Sequence, residues 1–186
     1  MNDLRESTHW YALYTRSHFE KKVNFMLQEK GLESYLPVHT VLRRWSDRWK
    51  KIEEPLFSCY VFVRMPFQQR MLAVQTDGVV RIVSFTGNPA PIPDSEIDAV
   101  RKVLERCDNY ETTQLLPIGQ PVEVIRGSLA GVQGRLIEHR GQSRLLVGIQ
   151  QIGQALSVEI HSADVQPVRS STACTKPAFS KSLLQI

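Results

Sequence analysis

Long apolar runs are missing from this chain of 186 residues. No window approaches the roughly 20 consecutive apolar residues that a membrane-spanning helix needs. Residues 1–6 also lack the apolar core of a secretory signal peptide. We therefore expect a cytoplasmic protein with no membrane partner.

Paired cysteines and catalytic motifs are missing as well. Cys59, Cys107 and Cys174 are odd in number and far apart, with no CxxC or Cys/His spacing. Neither a disulfide framework nor a zinc site is predicted. The five histidines are scattered, and the sequence holds no GxSxG motif, phosphate-binding loop or paired metal ligands. We therefore expect that the protein is not an enzyme, and we predict no catalytic residue, no metal site and no cofactor.

The composition is that of an ordinary folded protein. Hydrophobic residues make up 42% and charged residues 23%, which argues against a chain that is disordered throughout. The length allows one medium domain or two small ones. A net charge of +4 is compatible with contact to a nucleic acid, but it is too small to establish one.

The first half of the chain opens with a strand and a helix. Residues 9–15 are rich in aromatic and β-favouring types, which predicts a strand. Ser17 followed by Glu20 has the spacing of a capping box, which predicts a helix N-terminus at Ser17. The helix carries an apolar stripe and ends near Gly31. The stripe consists of Phe19, Val23, Met26 and Leu27.

The rest of the first half also alternates between predicted strands and predicted helices. Residues 55–63 are almost continuously apolar, as in a central strand buried on both faces. Residues 66–76 are predicted to be helical and residues 79–85 to form a strand. Asp94 is the expected N-cap of a last helix. The predicted inner side of the 66–76 helix is Phe67, Met71, Leu72 and Val74, and that of the last helix is Ile97, Val100, Val103 and Leu104.

The second half reads as short strands. In the segment 119–137, Val122 and Val124 alternate with Glu123 and Ile125, the pattern of a half-buried strand. Closely spaced strands without a helix predict a small barrel of about five strands. The glycines of the first loop, which tolerate a positive φ, are Gly127, Gly131 and Gly134. The predicted organisation is a first domain at 8–108, a linker at 109–116, a barrel at 117–168 and a disordered tail at 169–186.

The glycine-rich strand, loop and strand of 119–137 resemble the KOW motif, and the order of motifs before it resembles the N-terminal domain of the NusG family. The similarity extends from about residue 8 to residue 168. It implies an α+β fold: an NGN-type sandwich of an antiparallel sheet with flanking helices, then an SH3-like KOW barrel. The motifs are Trp10-Tyr11-x-Leu13-x-Thr15, Phe19-Glu20-x-x-Val23, the segment 55–63, Gly78-Val79-Val80-x-Ile82-Val83 and Pro91-Ile92-Pro93.

This resemblance implies a transcription elongation factor that binds the clamp helices of the RNA polymerase β' subunit through an aromatic depression. By motif match, Tyr14, Tyr60 and Phe62 would form that surface, although aromatic residues at alternate strand positions are also common in a core. Tyr60 and Phe62 must share a face of their strand. Where the family usually has Pro-Gly or Pro-Asn before this tyrosine, the chain has Ser58-Cys59, so the shape of that bend is left open.

The chain length and a basic segment resemble the specialised, RfaH-like members, which act on selected operons. The resemblance implies contact with non-template DNA or nascent RNA. Trp45 and Trp49 lie among the basic residues and could stack on bases, or could fold onto the domain as part of a solvated hairpin. The candidate nucleic-acid-binding residues are Arg16, His18, Lys21, Lys22, Arg43, Arg44, Arg48 and Arg81.

The KOW barrel implies a further protein partner, either the ribosomal protein NusE or the termination factor Rho. Ile152, followed by Gly153, stands where many members have a phenylalanine before a glycine. A general NusG factor that couples transcription to translation or to Rho termination is the first alternative. A ribosome-associated KOW protein is the second. The protein is expected to be a monomer, and whether its two domains are docked or free is left open.

Overall fold

A computed structural model describes residues 7–44, 48–115, 119–139 and 141–168. Two main β-sheets are joined by a long helix, and two short hairpins extend from the first sheet. The helices are α1 (Glu20–Glu29), α2 (Arg70–Val74) and α3 (Asp94–Arg106). The strands are β1 (Thr8–Thr15), β2 (Glu33–Tyr35), β3 (Val38–Arg44), β4 (Trp49–Pro55), β5 (Tyr60–Pro66), β6 (Val79–Ile82), β7 (Ser84–Phe85), β8 (Asn88–Pro89), β9 (Glu111–Gln114), β10 (Gln120–Val124), β11 (Gln133–His139), β12 (Gln142–Ile149), β13 (Gln154–Glu159) and β14 (Val165–Pro167).

The first sheet has the order β2-β5-β1-β6, and its central strands β1 and β5 are antiparallel. Because strand side chains alternate between faces, each central strand supplies two apolar faces. One face, with Tyr11, Leu13, Val61 and Val63, forms a cluster with Val23 and Leu27 of α1. The other face, with Trp10, Ala12 and Phe62, belongs to a cluster that includes Ile97, Val100 and Val103 of α3. The α+β fold class expected from the sequence is confirmed.

The capping box predicted at Ser17 does not form. Helix α1 begins at Glu20, with Phe19 at the N-cap position and no side-chain cap. The carboxylate of Glu20 is buried and accepts a hydrogen bond from the backbone N–H of Cys59 at 2.8 Å, so it serves a tertiary contact instead. The predicted helix end is confirmed, because Gly31 adopts a φ of +74° just after the last turn.

The helix predicted over 66–76 is shorter and faces differently. A 3-10 turn covers Phe67–Gln69, and α2 has five residues. Met71 and Leu72, predicted to face inward, are exposed, while Ala73 is the buried residue of α2. A helix of little more than one turn cannot present a complete apolar stripe, so the predicted orientation was wrong.

Two further boundaries differ from expectation. Helix α3 begins at Asp94 itself, with Pro93 at the N-cap, and the Asp94 carboxylate pairs with Arg64 at 3.1 Å instead of capping. The strand predicted over 79–85 is split at Val83, whose N–H donates to Ala12 O before the chain enters β7.

The second sheet has the order β14-β10-β11-β12-β13-β9. Part of the predicted linker belongs to it, because Glu111–Gln114 pair with β13 as the edge strand β9. Val122 and Val124 are buried and Ile125 is exposed, as the alternation predicted. The separation of the chain into independently folding domains stays a prediction. We call the part with the first sheet and α3 the front unit, and the part with the second sheet the barrel unit.

Glycine has two different roles in the first loop of the barrel unit. Gly127 and Gly131 adopt positive φ angles, as expected. Gly134 does not, and its requirement is space: a Cβ there would lie 2.5 Å from the backbone oxygen of Leu146 on β12. The close approach of two strands, rather than backbone conformation, therefore requires glycine at this position.

The bend before β5 contains Cys59 at a φ of +66°, the left-handed region that glycine and asparagine tolerate best. Its carbonyl accepts from Thr15 N–H and its N–H donates to Glu20, so the strained residue connects β1, α1 and β5. The chain thus keeps the backbone bend that a glycine or asparagine would adopt, despite the Ser58-Cys59 sequence.

Replacing Cys59 should therefore test backbone strain at this bend. The left-handed conformation costs a non-glycine residue about 1–2 kcal/mol. A glycine avoids this cost, but it also makes the unfolded chain more flexible, which lowers the free energy of unfolding by about 0.4–1 kcal/mol. We expect Cys59→Gly to raise the free energy of unfolding by about 0.5–1 kcal/mol, measured by urea denaturation. Cys59→Ala removes the thiol but keeps Cβ, so it is the control and should give no gain. An equal gain for both variants would assign the effect to the thiol.

Candidate functional site

Three side chains form a row across neighbouring strands at one end of the first sheet. The strand register places Tyr14 of β1 opposite Tyr60 of β5 on one side and opposite Arg81 of β6 on the other. Directly opposed residues in antiparallel strands share a face of the sheet. We call Tyr60, Tyr14 and Arg81 the aromatic row.

The Tyr14 ring contacts both other members of the aromatic row. The ring centroids of Tyr14 and Tyr60 are 5.5 Å apart in an edge-to-face arrangement, and the Arg81 guanidinium carbon lies 5.5 Å from the Tyr14 centroid. Both tyrosines are partly exposed. Edge-to-face pairs and cation–π contacts each contribute about 0.5–1 kcal/mol at such sites, so they hold the two rings in a defined orientation at the surface.

Burial further favours the protonated form of the Tyr60 hydroxyl. Burial raises the pKa of Tyr60, the neighbouring Tyr14 adds to the rise, and the Arg81 cation opposes it. A protonated phenol both donates and accepts hydrogen bonds. The row therefore offers a ring surface with a hydrogen-bonding group and a fixed cation, the combination that recurs at protein interface hot spots.

Phe62 does not line this surface. It shares the sheet face with Tyr60, as predicted, but its side chain is wholly buried. Its ring centroid is 6.1 Å from that of Phe57 and 6.4 Å from that of Tyr35. The prediction of Phe62 as a contact residue is wrong for this structure, because the ring is buried in the core against Phe57 and Tyr35.

Arg81 was grouped with the nucleic-acid candidates, but the structure places it in the aromatic row. The grouping relied on sequence proximity to Gly78. The contact with Tyr14 depends on the pairing of β1 with β6, which shifts register between Tyr14 and Thr15. No local sequence signal could have revealed this neighbour.

The loop between β1 and α1 brings together a second group of predicted residues. Arg16 and His18 are exposed there, and His18 has a φ of +65°. Arg16 and Lys22 lie 6.0 Å and 5.3 Å from the centroid of the Phe19 ring. Since Arg16 follows Tyr14 by two residues, this cationic loop adjoins the aromatic row.

Lys22 is engaged by an acidic neighbour. Its Nζ lies 2.7 Å from the Asp77 carboxylate. The hydrogen bond and charge of Lys22, together with the charge of Arg16, hold the pKa of Asp77 below its usual value. A nucleic-acid phosphate would have to compete with that carboxylate for Lys22, so Arg16 and the exposed imidazole of His18 are better placed for such a contact.

The remaining predicted residues lie on or beside the hairpin of β3 and β4. Arg44 and Arg48 are exposed near its tip, and Arg43 is a backbone partner of Lys50. Lys21 of α1 reaches Glu53 of the hairpin at 3.6 Å. Between helix and hairpin lies a groove of about 520 Å³, lined by Lys21, Thr40, Lys50, Lys51, Ile52 and Glu53.

The structure describes one of the two tryptophans predicted to lie on the hairpin. Trp49 is 66% exposed, so the alternative in which it folds onto the domain is wrong. Trp45 lies outside the described residues. An exposed indole beside lysines and arginines can stack on a base while the cations contact phosphates.

The predicted partner-binding loop of the barrel unit lies against α3. Gln150 donates its backbone N–H to Glu96 at 3.1 Å, and the Gln151 side chain donates to Pro91 O at 2.8 Å. Ile152 is half-buried against the larger apolar cluster, and Gly153 is exposed with a φ of +67°. The role of Glu96 was not predicted, since its position on the polar side of an amphipathic helix gives no sequence signal.

Across residues 7–44, 48–115, 119–139 and 141–168, no group of His, Cys, Asp and Glu side chains is arranged to hold a metal ion. None of the helices described there is long and apolar enough to cross a membrane.

Comparison with known proteins gives a consistent family. The family model described as transcription termination factor nusG matches residues 8–101. The transcription termination/antitermination protein NusG of Vibrio vulnificus is 29% identical and covers 84% of this chain and 94% of its own length. The Escherichia coli K12 protein of the same name is 29% identical with the same coverage.

A solved structure of Thermotoga maritima NusG is 22% identical over 87% of this chain and 98% of its own length, with a TM-score of 0.46. The family model covers half of the chain, from the first strand into α3. The protein therefore belongs to the NusG family and is a NusG-type transcription factor.

Proposed function

We propose that this protein binds RNA polymerase through the aromatic row and promotes processive, antiterminated transcription elongation. The observation that carries the proposal is the partly exposed edge-to-face pair of Tyr14 and Tyr60 on the family-matched sheet. The family resemblance points to the clamp helices of the polymerase β' subunit as the partner surface.

The physical basis is that of an aromatic hot spot. Tyrosine buries a large area while losing little side-chain entropy, and its hydroxyl directs the fit. The two tyrosine rings contact each other and Arg81 lies over the Tyr14 ring, so little ordering is needed on binding. Elongation would be favoured without bond chemistry, because a ligand that binds the closed clamp better shifts the polymerase toward that state.

Removing the Tyr60 ring should abolish most of this binding. Loss of a hot-spot aromatic costs about 2 kcal/mol or more, which corresponds to about a thirtyfold loss of affinity. We expect Tyr60→Ala to weaken binding to core RNA polymerase by at least that factor and to lose pause suppression on a transcription scaffold. Tyr60→Phe keeps the ring and should lose less.

Phe25→Ala is the matched control for the tyrosine variants. Phe25 is 61% exposed on α1, so its removal deletes a comparable exposed ring outside the row. Its polymerase affinity should stay within about twofold of the native value. Equal losses for Phe25→Ala and Tyr60→Ala would contradict a specific role of the row, and thermal unfolding of each variant checks that both remain folded.

We also propose that the cationic loop and the hairpin contact a single-stranded nucleic acid exposed on the transcribing polymerase. Arg16 and His18 lie beside the aromatic row, and Arg44 and Trp49 stand exposed on the hairpin. A protein bound at the row would thus present cations along a nearby strand, and the groove of lysines between α1 and the hairpin extends the same charge.

This contact predicts a change in salt dependence. Arg16→Ala and Arg44→Ala should each weaken binding of a labelled single-stranded DNA and lower the slope of log affinity against log salt by about 0.7, the value for one phosphate contact. Fluorescence anisotropy measures both quantities, and an RNA of the same sequence distinguishes non-template DNA from nascent RNA. Arg126→Ala, an exposed arginine of the barrel unit, makes the same charge change and should have no effect. Unaltered slopes in the test variants would rule out the contact.

The basic hairpin with its exposed Trp49 supports a specialised member that acts on selected operons. The relatives are named termination/antitermination proteins, which supports the alternative of a general factor. Mapping the protein along the genome separates the two, because a specialised factor occupies few transcription units and a general factor occupies nearly all. For the ribosome-associated alternative, occupancy would be absent.

We place the protein in the cytoplasm as a monomer and assign Ile152 and Gly153 to a partner surface for NusE or Rho. The aliphatic Ile152 keeps an apolar contact at this position but offers less area than an aromatic ring.

A further inference from the structure

The chain that joins the front unit to the barrel unit is itself part of a sheet. We infer that strand β9 is a releasable latch on this connection: it keeps the tether between the units short while it is paired with β13, and it lengthens the tether when it opens. The latch is a property of the chain alone, and only its consequence for bound partners rests on the proposed function.

β9 is attached to the barrel unit along its whole length. Glu111–Gln114 pair with residues 154–157 of β13, and Leu115 continues the ladder by donating its N–H to Gly153 O at 2.8 Å. Arg144 of β12 donates to the Glu111 carboxylate and, at 3.3 Å, to the Ser157 hydroxyl. The first residue of β9 is therefore held by a charged pair as well as by the ladder.

The connection between α3 and β9 is short. α3 ends at Arg106, and only residues 107–110 separate it from β9. A fully extended chain spans at most about 17 Å from Arg106 to Glu111. With β9 released, the connection runs through residues 107–119 to β10 and can span about 48 Å. The pairing of β9 thus removes more than half of the reach of the tether.

β9 is the strand of this sheet that should open most easily. It lies at the edge of the sheet, and all four of its side chains are exposed. Its neighbour β13 has four consecutive buried residues and pairs with β12 over six positions. Hydrogen bonds at an exposed edge exchange for water at little net cost, so β9 should open at a much lower free energy than the whole barrel.

A longer tether makes it harder for the barrel unit to return to α3 after the two separate. The effective concentration of two tethered surfaces falls roughly as the −3/2 power of tether length. Release of β9 lengthens the tether from four residues (107–110) to thirteen (107–119), so it should weaken the contacts between α3 and the barrel unit about sixfold. For partners bound by the two units, the paired and released tethers would set a near and a far range.

A matched pair of prolines tests the latch. Because Leu115 and Gly153 form a hydrogen-bonded pair, the alternation of an antiparallel ladder directs the N–H of Thr113 toward β13 and that of Thr112 away from it. Thr113→Pro therefore removes a ladder bond, whereas Thr112→Pro keeps the ladder and is the control. A third variant carries about nine extra glycine and serine residues after Asp108, which lengthens the tether as much as release would while β9 stays paired.

Hydrogen exchange of the full chain measures both parts of the inference. In the native protein, the Leu115 amide should exchange at least about tenfold faster than the buried Val147 amide of β12, because β9 opens without the rest of the sheet. Thr113→Pro and the insertion should each speed exchange at Gln150, whose N–H donates to Glu96 of α3, by about sixfold. Thr112→Pro should match the native protein, and Val147 should stay protected in every variant.

Three results would overturn the latch. Equal exchange rates at Leu115 and Val147 in the native protein would mean that β9 opens only with the barrel. Unchanged exchange at Gln150 in the insertion variant would remove the role of tether length, even if Thr113→Pro had an effect through local damage. Equal effects of the two prolines would remove the role of the ladder. If Thr113→Pro also exposes Val147, the native rates and the insertion variant still decide. Polymerase is absent from these measurements, so their failure is distinct from a failure of the proposed function.

Discussion

The antiparallel pairing of β1 with β5 is the constraint on which the rest of the front unit depends. It runs from Thr8 opposite Pro66 to Tyr14 opposite Tyr60 without a break. Since a one-residue slip would exchange the two faces of a strand, the apolar residues on both faces specify this register strongly. The same register that buries Phe62 under α3 sets two tyrosines side by side at the end of the sheet. The same strand register therefore determines both the core packing and the candidate interface.

A structural feature could be predicted from the sequence when the pattern that indicates it lies within one secondary-structure element. Alternation and near-continuous apolar runs identified the central strands, and the stripe Ile97, Val100 and Val103 identified α3, because these patterns lie within one element. The orientation of α2 failed because a five-residue helix contains too few positions to define a face. The cap at Ser17 failed for another reason: the Glu20 carboxylate is taken by Cys59, a residue far away in sequence. Tertiary competition overrode a valid local motif.

The site was predictable in part, for the same reason. Family motifs indicated Tyr14 and Tyr60 as candidates, and the alternation of strand side chains required Phe62 to share their face of the sheet. Residues on the same face can still differ in how deeply their side chains are buried. Exposure is decided by what covers each position, and the ring of Phe62 is enclosed by Phe57 and Tyr35. Arg81 shows the converse case, a cation whose ring partner could be identified only from the pairing of an edge strand.

Helix α3 contacts both the first sheet and the barrel unit. Its apolar residues belong to one buried cluster that holds side chains of both the first sheet and the barrel unit, and Glu96 and Arg106 add hydrogen bonds to the barrel unit. Hydrogen bonds to charged groups are individually strong but exchange readily for water, whereas a buried apolar stripe does not. Separating the barrel unit from α3 would therefore break hydrogen bonds and also expose apolar side chains. The geometry of the aromatic row is set by the pairing of β1 with β5 and β6 within the first sheet.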